Sequence, residues 1–459
     1  MKKVFVLAIL LSASVASAGG ATEKVTEYMT AHVATGNYNG AVLIAKGDDI
    51  LVHSGFGMYD LKKGIKASKG HKFELGSLAK PFTAISILQL QEKGLLSVDD
   101  KVSKFLPVFP NGDKITLHHL LTHSSGLVEF ENTLVFKPLD RIIRSIENKA
   151  LLFQPGQKAV YSTSGFVILR KIIELLTKRS HQQYVVENIM KPAGMTSSGF
   201  NHGHRKIKNL GPGYWNGGEG LEVPESHDKS AQGSLYSTTG DLLLLVKALQ
   251  DKTLLSKASK EQMFSSKVKD AGITNMGHGY GYGWAIDESH GKQRVWHNGH
   301  IFGFCAMLAM YPEVEVAIIV LSNVQNNSPV EKISEALAAI VFGKEYTLPK
   351  IRKEVVLEHD QLLGLAGTYE YSPDFHIEVT VSDNKIYLQG TGQPRFRLRP
   401  MNELQFFMNE ADIEIHFVRV GAEIKELVIH QYENKMPAKR ISPSPRKRGD
   451  LRNSSNPNN

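Results

Sequence analysis

Two groups of β-rich runs, far apart in the chain, limit what it can fold into more than any other feature. Asn39-Gly-Ala-Val-Leu-Ile-Ala45 and Ile50-Leu-Val-His-Ser54 flank Gly47-Asp-Asp49, which is a hairpin signal. Much later, Val295-Trp-His-Asn-Gly-His300, Phe302–Met310 and Val316–Asn323 read as consecutive antiparallel strands, opened by a strand region at Gly279–Trp284. Between the groups the pattern is largely helical, with runs over Ala84–Leu90, Val167–Thr177 and Leu242–Val246. Val25–Val33 and Ile333–Phe342 read as helices outside them. The layout is α+β, with N- and C-terminal segments sharing one sheet.

From about Pro349 the texture changes to short strands at regular spacing, among them Ile377–Val381, Ile386–Gln389, Ile413–Val420 and Leu427–His430. That spacing predicts a separate antiparallel barrel or sandwich over 349–438. The expected organisation is a signal segment at 1–18, a main domain at 19–348, the β module, and a disordered basic tail at 439–459. Met1-Lys-Lys, the short apolar run Val4–Leu11 and Ala16-Ser-Ala18 have the pattern of a secretory signal cleaved near Ala18, so a periplasmic or secreted location is expected. No later stretch is long enough to span a bilayer, so no stable membrane insertion is expected. The lone Cys305 allows no intrachain disulfide, and its apolar neighbours suggest a buried strand thiol.

The net charge of +8 sits mostly at the ends. Without Lys2, Lys3 and the net +5 of the segment from Lys439 onward, the body is near +1, which gives no argument for nucleic acid.

Ser77 and Lys80 lie three residues apart ahead of the apolar run Ala84–Leu90. In a helix they share a face, with Ser77 in the first turn, and a serine becomes a nucleophile only when a neighbour takes its proton. The spacing is unspecific, because Ser-x-x-Lys recurs at Ser226, Ser266, Ser289, Ser382 and Ser444. On spacing alone the pair reads as a helix N-cap followed by a solvated lysine. His118, His119 and His123 follow Thr116, a candidate N-cap for a short helix ended by Gly126. His118 and His119 point to different faces of such a helix, so these histidines read as structural or cleft-side and no metal is expected. Tyr161 sits on a loop leading into the Val167–Thr177 helix, and residues 201–227 read as a long surface loop near a cleft.

Gly76-Ser-Leu-Ala-Lys80, Leu120-Leu-Thr-His-Ser-Ser-Gly-Leu127, Tyr161-Ser-Thr163, Pro192–Thr196, Gly233–Thr238 and His297-Asn-Gly299 occur in one order. Over residues 25 to 345 the set resembles the serine β-lactamase-related hydrolases. That group holds class C β-lactamases, D-alanyl-D-alanine carboxypeptidases, D-aminopeptidases and esterases. The resemblance implies a β-lactamase/transpeptidase-like fold and an acyl-enzyme mechanism without cofactor. Ser77 matches the nucleophile, Lys80 the lysine that helps deprotonate it, and Tyr161 the tyrosine that shares the proton and passes it to the leaving group. His297 joins this catalytic group through a strand motif that often reads Lys-Thr-Gly in relatives. Thr163, Gly299 and His300 match substrate-binding positions, with backbone N–H groups of Ser77 and near His300 forming the oxyanion hole.

Two departures shift the expectation away from a dedicated β-lactamase. Thr163 stands where relatives often carry asparagine, and His297 replaces a lysine that attracts the substrate carboxylate, although histidine is mostly neutral at pH 7. The expected substrates are small esters or D-residue peptides and amides. A class C-like β-lactamase or penicillin-binding protein, and an inactive binding protein on the same fold, remain the alternatives. Nothing in the sequence bears on oligomeric state.

Overall fold

The structure is a computed structural model that describes residues 20–131, 136–203, 206–215, 221–222, 233–269, 279–325, 329–393, 395–408, 413–431 and 434–443. The expected signal segment at 1–18 and the tail beyond Pro443 lie outside the described residues, as do parts of the loop 201–227. The helices in chain order are α1 (Ala21–Ala34), α2 (Lys80–Glu92), α3 (Leu117–Leu121), α4 (Leu139–Glu147) and α5 (Thr163–Thr177). They continue as α6 (His181–Val185), α7 (Thr239–Gln250), α8 (Lys257–Phe264), α9 (Pro329–Val341) and α10 (His359–Leu365).

Both groups of β-rich runs enter one eight-stranded antiparallel sheet. Its order is Val268–Lys269, Gly279–Tyr280, Ala285–Ser289, Lys292–Ile301, Phe304–Tyr311, Val316–Ser322, Gly40–Lys46 and Asp49–Phe56. The chain ends meet where Val42 stands opposite Val320 and Ala45 opposite Ala317. Side-chain alternation then sorts two apolar faces. Val42, Ile44, Ile318, Val320 and Met307 pack with Val25 and Met29 of α1 and Val330, Ile333 and Leu337 of α9. Leu43, Leu308, Ile319 and Leu321 face the helical middle, where Ile85 and Leu88 of α2 and Leu242 and Leu245 of α7 meet them. Every residue of α2 from Lys80 to Leu90 is buried. A helix covered on all sides sits in the core rather than on the surface.

Two local expectations change. Ser77 lies in a 3₁₀ turn, Gly76–Ala79, just before α2. Pro81 has no N–H to close an α-turn on the Ser77 carbonyl, so the N–H of Lys80 bonds it instead. The Thr116-capped helix stops at Leu121 rather than Gly126, because His123 takes a positive φ of 59°.

Residues Gly367–Pro443 form a closed barrel of eight strands. Tyr369, Ile377, Val379, Phe406, Phe417 and Leu427 fill its interior, and Leu362 and Leu365 of α10 pack with them. An eight-stranded barrel is just wide enough for side chains to occupy, so this one is a core. The last strand, Asn434–Pro443, takes in five residues assigned from composition to a disordered tail. They are ordered because closure needs a partner for the first strand: Tyr369 stands opposite Arg440 and Thr368 opposite Ser442. No described helix is long and apolar enough to cross a membrane.

Candidate active site

The turn carrying Ser77 rests on the strand Lys292–Ile301, and two glycines allow the approach. A Cβ on Gly299 would fall 1.9 Å from the Leu75 carbonyl oxygen and 2.9 Å from the Ser77 nitrogen. Gly76 has φ 52°, and a Cβ there would stand 2.8 Å from the His300 carbonyl oxygen. The backbones of Ser77 and His300 are therefore brought side by side, with no side chain between them. Gly299 contributes this absence of a side chain and not a contact of its own.

Lys80 is buried, and its Nζ donates to Ser77 Oγ at 3.2 Å. The same Nζ lies 4.6 Å from the centroid of the Tyr161 ring and 5.6 Å from that of Phe166. This replaces the solvated lysine that spacing alone suggested. The Tyr161 hydroxyl is buried with no hydrogen-bond partner among the described residues. Buried hydroxyls normally have one, so a lone hydroxyl beside a serine–lysine pair suggests a functional use.

Behind Tyr161 stand His123, Tyr280 and His297. The His123 ring lies 4.4 Å from Tyr161 and 4.7 Å from Tyr280. His297 Nδ1 lies 2.6 Å from the carbonyl oxygen of Asn298, and only a protonated Nδ1 can donate to it. Nε2 is then free to accept from the Tyr280 hydroxyl at 3.0 Å. Burial, helped by the charge of Lys80, pushes His297 down to about 3. It is therefore neutral at pH 7. His297 is fully buried and is not on the cavity wall, which corrects its expected place beside the substrate. Its strand position faces the packed interior behind Tyr161, where an imidazole satisfies Tyr280.

His300 does line the cavity. Its Nε2 meets Glu331 Oε1 of α9 at 2.8 Å, and its Nδ1 lies 3.1 Å from Cys305 Sγ, the buried strand thiol. Burial pulls His300 down, but the hydrogen bonds to Cys305 and Glu331 and the Glu331 charge outweigh it, raising it to about 10. Glu331 Oε1 also accepts from Asn298 Nδ2 at 2.5 Å, so one carboxylate grips the residues on both sides of Gly299.

Thr163 is the first residue of α5 and lines the cavity. Its backbone N–H donates to the Glu129 carboxylate at 2.8 Å, and the Ser162 hydroxyl and the Ser164 N–H reach the same group. Glu129 thus satisfies the open N–H groups of a helix start.

A cavity of about 520 Å³ opens over Ser77 and Lys80. Its walls include Thr163, Phe166, Phe200, Trp215, Leu235 and His300, and none of the described barrel residues. Sequence reasoning missed the supports Glu129, Tyr280 and Glu331, and the lining residues Arg170 and His181. None lies in a motif, and only the tertiary contacts bring them in. His118 and His119 go to structural contacts: His118 Nδ1 meets the distant Tyr282 hydroxyl at 2.9 Å, and His119 completes a local capping box with Thr116.

Known proteins resemble this chain in sequence and fold. The family model described as Beta-lactamase matches residues 23–341. Penicillin-binding protein 4* of Bacillus subtilis (strain 168) is 30% identical over 424 residues, covering 86% of this chain and 93% of that protein. The octameric penicillin-binding protein homologue from Pyrococcus abyssi superposes with a TM-score of 0.65 at 27% identity, over 91% of this chain and 99% of that one. The D-amino acid amidase from Ochrobactrum anthropi SV3 shares the fold with a TM-score of 0.61 at 18% identity, over 70% of this chain and 99% of that one.

Proposed function

The chain belongs to the β-lactamase family of serine hydrolases, and on that premise we propose that it cleaves esters or D-residue peptide and amide bonds through an acyl-enzyme on Ser77. The observation that carries this reading is the 3.2 Å contact between Lys80 Nζ and Ser77 Oγ in the wall of a cavity, beside the unpartnered hydroxyl of Tyr161.

Ser77 Oγ attacks the substrate carbonyl carbon while its proton passes to the Lys80–Tyr161 pair. Negative charge develops on the carbonyl oxygen, and the backbone N–H groups of Ser77 and His300 are the donors to receive it. The bond to the leaving group breaks as Tyr161 returns the proton to it. Water then attacks the acyl carbon, with the same pair as base, and frees Ser77 and the acid. His297, Tyr280 and His123 act on Tyr161 as positioning residues. Residues 1–18 support export.

Penicillin acylation is the second reading, supported by the names of the relatives. The neutral, buried His297 weighs against efficient lactam turnover, because the site then lacks a cation at that position to draw in a carboxylate. The test is intact-mass analysis after incubation with p-nitrophenyl butyrate, nitrocefin and a D-Ala-D-Ala peptide, with released product measured in parallel. Ester or peptide turnover with an adduct on Ser77 supports the first reading, and rapid nitrocefin hydrolysis supports the second. No adduct from any of the three would overturn both and favour a binding protein.

A further inference from the structure

The strand that carries His300 ends in a strained turn lining the same cavity. Phe302 and Gly303 form the two-residue loop between Lys292–Ile301 and Phe304–Tyr311, where Ile301 stands opposite Phe304. Phe302 has φ 38° and Gly303 has φ 87°. Two positive φ values in such a loop match the I′ hairpin turn, whose first position favours asparagine, aspartate or glycine. A bulky side chain there is an outlier. Glycine is required at the second position, because a Cβ on Gly303 would fall 2.5 Å from the Tyr214 nitrogen. The Gly303 N–H donates to Gln325 Oε1 at 2.8 Å, which holds the turn. None of these backbone contacts uses the Phe302 ring.

The ring instead joins an aromatic group. Its centroid lies 5.7 Å from that of Phe136 with the planes tilted by 41°, which is ordinary aromatic-pair geometry. Gln325, which holds the turn, stands opposite Trp215 in a short parallel ladder. Gly303 also abuts Gly213 and Tyr214, the residues leading into Trp215. Phe136, Trp215 and Phe302 all line the cavity. Phe302 is half-buried and Trp215 is 37% exposed, so both keep open surface.

We infer that Phe136, Trp215 and Phe302 form a subsite for an aromatic ring on the substrate, so that the enzyme selects esters or amides carrying a benzyl-type group. This assignment depends on Ser77 being the acylated residue. Phe302 follows His300 by two residues, about 7 Å along an extended strand, and the His300 N–H is the proposed donor to the substrate carbonyl. A benzyl group covers that interval, because paired rings make contact at centroid separations of about 4.5–7 Å. Recognition also accounts for the outlier. Strained residues cluster at binding sites, where a gain in function offsets the local loss of stability.

The experiment measures kcat/KM ratios for two ester pairs, p-nitrophenyl phenylacetate against p-nitrophenyl acetate and benzyl acetate against ethyl acetate. The ring is thus offered on either side of the scissile bond, and intrinsic reactivity cancels when a variant's ratio is divided by the wild-type one. Phe302→Asn supplies a residue the turn favours and removes the ring. Its thermal midpoint should hold or rise, while the aromatic ratio falls about 3- to 10-fold in at least one pair, the range for one aromatic contact. Trp215→Leu keeps apolar bulk without the indole and should lower the same ratio. Calorimetric binding of phenylacetamide and acetamide to Ser77→Ala, with and without Phe302→Asn, reads recognition apart from turnover. Phenylacetamide should bind more tightly and lose that advantage in the double variant. Ratios unchanged in both variants, phenylacetamide binding absent or insensitive to Phe302→Asn, or a midpoint lowered by several degrees in Phe302→Asn would overturn the inference. Turnover of none of the esters, together with Phe302-dependent phenylacetamide binding, would uphold the subsite and count against Ser77 instead.

Discussion

His123 brackets Tyr161. Its carbonyl accepts the Val160 N–H at 2.9 Å, its Nδ1 accepts the Ser162 N–H at 3.0 Å, and its ring lies 4.4 Å from the tyrosine ring between them. Both backbone neighbours of Tyr161 are thus tied to one histidine that is itself held at φ 59°. His123→Ala should lower kcat about 10-fold or more with KM less affected, because a small misplacement of a proton-transfer group is costly. His123→Asn tolerates positive φ and keeps an acceptor near Nδ1, so it should restore part of the rate. Equal kcat in all three proteins would show that the bracket has no catalytic consequence.

Ser77→Ala should abolish both turnover and the mass adduct while leaving the thermal midpoint close to wild type. Lys80→Ala and Tyr161→Phe should each cut the rate roughly 10²–10⁴-fold if they act in proton transfer. Steady-state kinetics and intact mass read all three. Residual ester turnover in Ser77→Ala would sink the mechanism.

Gly299→Ala puts a methyl group where the Leu75 carbonyl oxygen stands 1.9 Å away. The Ser77 turn must lift off the strand, separating the two backbone N–H donors. The expected result is a loss of about 1–3 kcal/mol in stability from overpacking and a larger loss in kcat. Urea denaturation and kinetics measure the two, and a variant with wild-type kcat would contradict the proposed donor pair.

His123, His181 and His297 are all held neutral, chiefly by burial, with His297 near 3 and the other two well below their ordinary value. The unfolded chain takes up protons below about pH 6.5 that the folded chain refuses. Their stability contribution is complete above that pH and falls as pH drops from about 6.5 toward 3, by up to ~1.4 kcal/mol per pH unit for each group. Thermal midpoints between pH 7 and 4 should fall steeply. A flat profile would mean that these rings accept protons in the fold.

His300 has the opposite sign. Its folded value near 10 exceeds its unfolded one, so its pairing with Cys305 and Glu331 stabilises fully below about pH 6.5 and is lost as pH rises through 10. Glu331→Gln removes the carboxylate charge, leaving Cys305 alone to oppose the downward pull of burial on His300. The decline in thermal midpoint between pH 7 and 10 should shrink in the variant, and NMR titration of His300 should show a much lower midpoint. An unchanged titration would assign the raised value to another neighbour.

The sequence by itself determined the layout and singled out the serine–lysine pair. Alternation and turn spacing are local properties, so the hairpin at Gly47 and the consecutive strands from Val295 could be read directly. The ordered set Ser77, Lys80, Tyr161 and His297 pointed to the candidate site, because these motifs occur as a set. What the tertiary structure decided were facts of distance and solvent. Lys80 is a buried partner of Ser77, which depends on α2 lying in the core. His297 serves Tyr280 rather than the cavity, which depends on which face of its strand meets the packed interior. Lys439–Pro443 are ordered because a barrel strand needs their hydrogen bonds, a demand their own composition does not reveal. Glu129 and Glu331 could not be read at all: each acts on residues distant in sequence, and only the folded chain brings them together.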